Sequence, residues 1–424
     1  MNASAALTQE QRVAQLAAMV GEEHTRHRGE TAQTIQVAPG DIQQVAEILR
    51  FANANALSVM PSGGGTKLGW GNTLTADIEL SMKNLNQLRE HAWQDMTCTV
   101  QAGCTWTAMQ DALKTHGQTV ALDPLCPERA TVGGIVACND SGALRLKYGG
   151  LRDLIIGMTM VLADGTIAKS GGKVVKNVAG YDMHKLLTGS FGTLGVIAEV
   201  NFRLHPVEEH RHTWTAVGTG EIDAGSAASS VAEPLRALLD AQLTPTCVQL
   251  RVLGGECALD IRVAAPPECL GEYEKRIRNI LGTLAIRESG EEIWNAQQQL
   301  FDDNDALVLK VSVLPTEICP LAAELHQWTA ADGTNLELVA QATGLMMVAV
   351  HSATDAALVA LIERLRARVS KSGGSVVALQ IPGRLRGSVD VWGPDRGAFS
   401  LMREFKRRFD PARILNPGRF VGNI

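Results

Sequence analysis

Pro61-Ser62-Gly63-Gly64-Gly65-Thr66-Lys67-Leu68-Gly69-Trp70-Gly71 follows a short apolar run at 57–60 that reads as a strand. Three consecutive glycines let a backbone turn sharply and present amide N–H groups to an anion. Lys67 follows Thr66, so the G-x-x-x-x-G-K-[ST] spacing of a triphosphate loop is missing, and so is G-x-G-x-x-G. A P-loop and a doubly wound dinucleotide fold are therefore both disfavoured. Upstream, 34–38 (TIQVA) reads as a strand. Asp41, with Gln44 three residues on, reads as the N-cap of a helix carrying Ile42, Val45, Ile48 and Leu49 at helical spacing. The order is strand, helix, strand, glycine loop.

Two further stretches of small residues lie downstream: 123–142 (DPLCPERATVGGIVACNDSG) and 189–195 (GSFGTLG), the latter leading into a strand at 196–203. Three loops rich in Gly, Thr and Ser imply a long ligand laid against closely approaching backbone. Between them lie a helix at 105–116, a hairpin at 158–169 turned by Asp164-Gly165, and a helix at 182–188. Composition shifts near His205-Pro206, and 219–235 reads as a loop or short helix. Beyond it come a hairpin (248–253 and 257–263 across Gly254-Gly255), helices at 272–282, 317–331 and 355–370, and strands at 306–314, 345–351 and 375–381. A last helix spans 400–409. This alternation predicts a sheet backed by helices on one face. No internal repeat is evident.

The 424 residues are 45% hydrophobic and 20% charged with a net charge of −6, an ordinary globular balance without the basic footprint of nucleic-acid binding. Arg403, Lys406, Arg407 and Arg408 read as a solvated helix face. None of the eight cysteines forms a C-x-x-C pair, so neither an iron–sulfur cluster nor a zinc site is expected, and buried thiols in a reducing cytosol are. The N-terminal stretch reads as an amphipathic helix rather than a signal peptide. No run approaches about 18 uninterrupted apolar residues. The expectation is a cytoplasmic protein that reaches a membrane only through partners.

The order P-S-G-G-G-T (61–66), T-V-G-G (131–134), G-S-F-G-T-L-G-V-I (189–197) and L-N-P-G-R (415–419) resembles the vanillyl-alcohol oxidase/p-cresol methylhydroxylase (PCMH-type) flavoproteins. The resemblance spans 30–205 and returns at 376–424. With G-G-K-V-V-K-N-V-A-G-Y-D (171–182), it is most similar to the FAD-binding subunits of bacterial glycolate oxidase (glycolate dehydrogenase). It implies an α+β fold: an FAD-binding domain of two α/β subdomains over 1–207, a cap domain with a helix-covered antiparallel sheet over 208–375, and a segment, 376–424, returning to the FAD domain. It implies pyrophosphate contacts from Pro61, Ser62, Gly63, Gly64, Gly65, Thr66, Lys67 and Leu68. Pro127, Thr131, Val132, Gly133, Gly134, Asn139, Ser141 and Gly142 would flank the isoalloxazine and ribityl chain. Gly192, Gly195, Val196 and Ile197 would meet the adenine or the pyrimidine edge, with Asn416 near the flavin.

Covalent attachment in such relatives uses a His near the glycine loop. No His lies between 28 and 90, and Cys126 is off the spacing of a bicovalent cysteine, so the FAD is expected to be non-covalent. Related 2-hydroxy-acid dehydrogenases carry H-x-G-D-G-x-x-H followed by an E-H pair. The corresponding 346–354 (MMVAVHSAT) has only His351. No metal ligands are thus expected, and the candidate catalytic groups are Tyr181, His351, Arg251 and Arg384, with Arg262 and Arg386 behind them. The resemblance implies a complex with a catalytic flavin subunit and an iron–sulfur subunit, acting on a small 2-hydroxy acid. The alternatives are a stand-alone flavin dehydrogenase or oxidase of another small alcohol or hydroxy acid, and a non-catalytic FAD-binding assembly subunit.

Overall fold

The computed structural model describes residues 7–28, 34–173, 180–218, 228–331, 334–352, 354–395 and 397–424. Lys176 of the 171–182 motif and residues 219–227 lie outside the described residues. The chain forms two compact units: Met1–Ser141, Gly150–Val207 and Pro394–Ile424 make the first, and Gly142–Gly149 with Glu208–Gly393 make the second.

The first unit holds two sheets with separate apolar cores. Thr34–Val37, Ile78–Ser81 and Val59–Ser62 run parallel, and Thr25–Arg28 joins antiparallel at one edge. The helix Ile42–Ala54 packs Val45, Ile48 and Leu49 onto this sheet, and its N-cap Asp41 accepts the Gln44 N–H as expected. The second sheet is antiparallel in the order Leu88–Ala92, Thr97–Gln101, Val196–Arg203, Ile155–Val161, Ile167–Gly171. Gly165 takes a φ of 78° in the turn of its hairpin, as the Asp-Gly signal requires. Two α/β subdomains thus stand where the resemblance places them.

The C-terminal segment joins the first unit beside the strand Val59–Ser62, where Val59 N–H donates to Ile414 O (2.7 Å) and Asn416 N–H to Val59 O (2.9 Å). This return starts at Pro394, not at 376. Ser375–Gln380 instead pairs with Leu307–Ser312 and closes one edge of the second unit's sheet, because its apolar face completes that core. Residues 142–149 were also expected in the first unit. They belong to the second, where Leu146 packs on the core and Lys147 and Tyr148 both donate to Glu208.

The second unit is one eight-stranded antiparallel sheet in the order Ala285–Ser289, Arg211–Val217, Glu256–Ala264, Cys247–Leu253, Asn335–Gln341, Leu345–His351, Leu307–Ser312, Ser375–Gln380. Read with the helices Ala232–Asp240, Pro267–Leu281, Ile318–Ala331 and Asp355–Ser370, the chain runs β-α-β-β-α-β twice, each half with the strand order 4-1-3-2 of a ferredoxin-like unit. The halves join through Cys247–Leu253 and Asn335–Gln341, the second strand of each. A structural repeat therefore exists where the sequence suggests none. The helices lie on one face, over Leu250, Leu259, Leu309, Leu338 and Val348.

Candidate functional site

The glycine loop leaves the end of Val59–Ser62 and lies against the backbone at 129–131. A Cβ on Gly64 would sit 1.7 Å from Arg129 O, and one on Gly63 would sit 2.0 Å from Thr131 Oγ1. Only glycine permits that approach. The Ser62 hydroxyl is committed to Glu79 (2.7 Å), so this residue offers a ligand its backbone. Lys67 is buried and pairs with buried Asp140 (3.0 Å) while donating to Leu125 O (3.1 Å), which ties the loop to the 123–142 stretch.

Part of that stretch is a helix, Val132–Cys138, rather than the expected loop. Gly133 lets it close on Ala102, whose Cβ would lie 2.8 Å from an added methyl. Thr131 stands at its N-cap position without making a side-chain cap bond. The loop 189–195 completes the site: Phe191 has a φ of 54°, and Asn416 Nδ2 donates to Phe191 O (2.7 Å). Gly192 lies under the same amide, where an added Cβ would meet Nδ2 at 2.9 Å.

These segments surround a cleft that opens to solvent and is lined mainly by apolar atoms, as small-ligand and cofactor sites are. Of the expected residues, Pro61, Ser62, Gly63, Gly64, Gly65, Thr66, Lys67, Leu68, Thr131, Gly133, Gly134, Gly192, Gly195, Val196, Ile197 and Asn416 line it. Pro127, Val132, Asn139, Ser141 and Gly142 do not. Val132 is turned into the apolar core, Asn139 is the left-handed residue ending the helix, and Gly142 opens the segment that belongs to the second unit. Met82, Ala102, Ala137, Cys138, Phe191 and Arg419 line it unannounced. Phe191 and Arg419 sit inside motifs already visible in the sequence, whereas Met82 and Ala102 follow short strands that carry no local signal.

Two buried polar atoms on this lining, Thr131 Oγ1 and Asn416 Oδ1, have no hydrogen-bond partner among the described residues. Such atoms cost about 1–3 kcal/mol each unless a ligand engages them. Arg419 is buried and donates through Nη2 to Lys67 O, Leu68 O and Trp70 O (3.0–3.2 Å), and burial pulls its pKa below the ordinary value. Close backbone, unpaired polar atoms, apolar Phe191, Val196 and Ile197, and the Arg419 guanidinium together fit a dinucleotide with a diphosphate and flat aromatic ends.

The catalytic candidates lie elsewhere. Tyr181 is 88% exposed and does not line the cleft. In the second unit, Arg251 is buried against Asp260 (3.0 Å) and Glu256 (2.9 Å), in a network where Asp260 also accepts from Thr215 and Gln249. Arg262 bonds Glu291 and stacks on Trp294. Arg384 pairs with Asp355 (2.6 Å) and Asp305, and His351 lies 3.0 Å from Asp303. Among the described residues, no three His, Cys, Asp or Glu side chains gather as a metal-ligand set. Cys98, Cys104, Cys247, Cys257 and Cys319 are buried as expected, whereas Cys138 and Cys126, the latter in a left-handed conformation, are only partly buried and Cys269 is exposed.

Fold and cleft define a flavoprotein whose first unit is built of two subdomains. Residues 34–171 match the FAD binding domain family and residues 287–420 the FAD linked oxidases, C-terminal domain. The chain is 36% identical over 182 residues to the glycolate oxidase subunit GlcD of Bacillus subtilis, covering 43% of this chain and 39% of that one. To the D-lactate dehydrogenase of Archaeoglobus fulgidus it is 39% identical over 173 residues, again 39% of the relative's length and 41% of its own. The chain thus spans about two fifths of these relatives. An uncharacterised FAD-linked oxidoreductase of Mycobacterium tuberculosis is 25% identical over 414 residues, covering 91% of this chain and 90% of that one. Among solved structures, p-cresol methylhydroxylase with substrate bound superposes with a TM-score of 0.75 at 16% identity, over 97% of this chain and 96% of that one. The chain carries an FAD binding domain and an FAD linked oxidase C-terminal domain on a fold like that of p-cresol methylhydroxylase, and FAD is its cofactor.

Proposed function

We propose that this chain is the FAD-binding subunit of a 2-hydroxy-acid dehydrogenase of the glycolate oxidase type, handing flavin electrons to partner subunits. The observation that carries the FAD site is the cleft itself, where Gly64 passes within a Cβ's reach of Arg129 O while Thr131 Oγ1 and Asn416 Oδ1 stand unpaired. The amides of 63–66 would hold the diphosphate, with the Arg419 guanidinium supplying positive charge beside it. Thr131 would offer its hydroxyl and Asn416 an acceptor for a ring N–H. Phe191, Val196 and Ile197 would exclude water from the aromatic ends. When bound, FAD supplies the two-electron acceptor for a hydroxyl-bearing carbon.

The role as one subunit among several is supported by the second unit. A 2-hydroxy acid needs a cation for its carboxylate and a base for its hydroxyl proton. Arg251 and Arg384 are each engaged by two carboxylates, and His351 is held by one. The missing H-x-G-D-G-x-x-H pattern points the same way, toward a catalytic flavin subunit and an iron–sulfur subunit as partners.

Purification of the chain alone tests this. The reading requires a yellow protein that releases all flavin in acid and bleaches with glycolate, D-lactate or another 2-hydroxy acid only when partner subunits are added. Bleaching by the chain alone would make it a stand-alone dehydrogenase, and a colourless protein that still binds its partners would make it an assembly subunit. Colour retained on acid-precipitated polypeptide would exclude non-covalent attachment.

A further inference from the structure

Lys406 was expected on a solvated helix face with Arg403, Arg407 and Arg408. The helix Phe399–Phe409 does turn Arg407 and Arg408 outward, onto Glu404, but it turns Lys406 inward to 2% exposure. Its ammonium has three N–H groups and uses them on Thr193 O (2.8 Å), Asp410 Oδ2 (2.7 Å) and Leu415 O (2.7 Å). Those acceptors come from the two segments that form one wall of the cleft, the 189–195 loop and the returning C-terminal turn. Asp410, held by Lys406, in turn accepts the N–H groups of Ile414 (3.0 Å) and Leu415 (2.8 Å). Within this turn Arg413 and Asn416 adopt φ angles of 57° and 42°, a region that non-glycine residues keep only when their surroundings enforce it. Lys406 itself does not line the cleft.

We propose that Lys406 is a positioning residue for the flavin site: its buried ammonium clamps the 410–416 turn to the 189–195 loop and so holds the Asn416 amide, bonded to Phe191 O, on the cleft wall. This rests on the FAD reading above. The clamp acts on cofactor affinity through Asn416 alone, which separates it from a role in stability.

The test is a double-mutant cycle on the full chain stripped of flavin, with FAD affinity read by fluorescence quenching and folding by far-UV circular dichroism and thermal melting. Lys406→Met should raise the FAD Kd about tenfold or more while the fold persists. Asn416→Ala should do the same, and the double variant should be no weaker than Asn416→Ala, because non-additivity marks residues acting as one unit. Additive losses, or a Kd unchanged in Lys406→Met despite a lower melting temperature, would overturn the proposal, as would wild-type affinity in Asn416→Ala. Should Lys406→Met fail to fold, Asp410→Asn replaces it in the cycle. That variant removes the ammonium's counter-charge and one acceptor of the Ile414 and Leu415 N–H groups, so a loss of affinity is again expected, absorbed in the same way by Asn416→Ala, and wild-type affinity again overturns the proposal. A wild-type chain that takes up no FAD would instead refute the cofactor reading beneath it.

Discussion

Replacing Gly64 by alanine probes the cofactor cradle with a single methyl group. The added Cβ would lie 1.7 Å from Arg129 O, a backbone atom that cannot rotate away. Restoring an ordinary C···O distance of about 3.3 Å requires the loop to retreat by roughly 1.6 Å. An N–H···O bond of about 2.9 Å stretched by that amount no longer counts as one. Losing two charge-assisted bonds to a diphosphate costs about 3–6 kcal/mol, which corresponds to roughly 10²- to 10⁴-fold in Kd. The assay is FAD titration of the stripped protein, with the flavin-to-protein absorbance ratio after gel filtration as a second readout. Gly69→Ala is the matched control, since nothing lies within 4 Å of its added Cβ. If Gly64→Ala binds FAD within about threefold of wild type, the loop does not grip the cofactor and the reasoning fails. Gly64→Asp adds a carboxylate to the same clash and should retain no flavin.

Thr131→Val removes a hydroxyl that has no partner without ligand, so the apo protein should melt no lower than wild type while FAD binding weakens about tenfold; equal affinity would show that the hydroxyl meets nothing on the cofactor. Burial holds the His184 imidazole below its ordinary value of 6.5, beside Ser170 Oγ at 3.0 Å. The unfolded chain therefore takes up the proton first, and this contribution to stability is full above pH 6.5 and lost as pH falls below it. Urea titrations at about pH 7.5 and about pH 5 should show a smaller loss on acidification for His184→Gln than for wild type. Burial raises the Glu208 carboxyl, but hydrogen bonds from Tyr148, Lys147 and Thr246 outweigh it and leave the pKa below the ordinary 4.5. Its stabilisation is present above that value and disappears as pH falls through the lowered one. Glu208→Gln should cost about 1–3 kcal/mol near neutral pH, read by urea denaturation, and little in strong acid.

The glycine loop was legible because its cause is local: three residues without Cβ at the end of a strand have few uses other than close approach. The same holds for Asp41 as a cap and Asp164-Gly165 as a turn. The helix at 132–138 was hidden by Gly133-Gly134, poor helix formers whose place is explained by Ala102 and the cleft rather than by propensity. The strand Ile78–Ser81 alternates apolar and polar residues over only four positions, the shortest run that can announce a strand. Lys406 looked like its basic neighbours, since a one-position turn of a helix is invisible in composition. In the second unit, the first half carries Thr215, Gln249 and Asp260 on the face away from the helices, which the second half does not reproduce. The repeat survives in topology after its side chains have diverged.

The two ferredoxin-like halves meet across only four paired residues, Gln249–Val252 against Leu338–Gln341, whereas the hairpin ladders on either side run to seven. The backbone seam between the halves is thus the shortest interior ladder of the sheet, and the continuous apolar layer under the helices supplies the adhesion that it lacks. Cooperative melting of the second unit should accordingly depend on that layer. Truncating a large side chain at the midline, such as Leu250, would let one half come apart before the other, while an equally deep cut far from the joint would weaken the whole without splitting the transition.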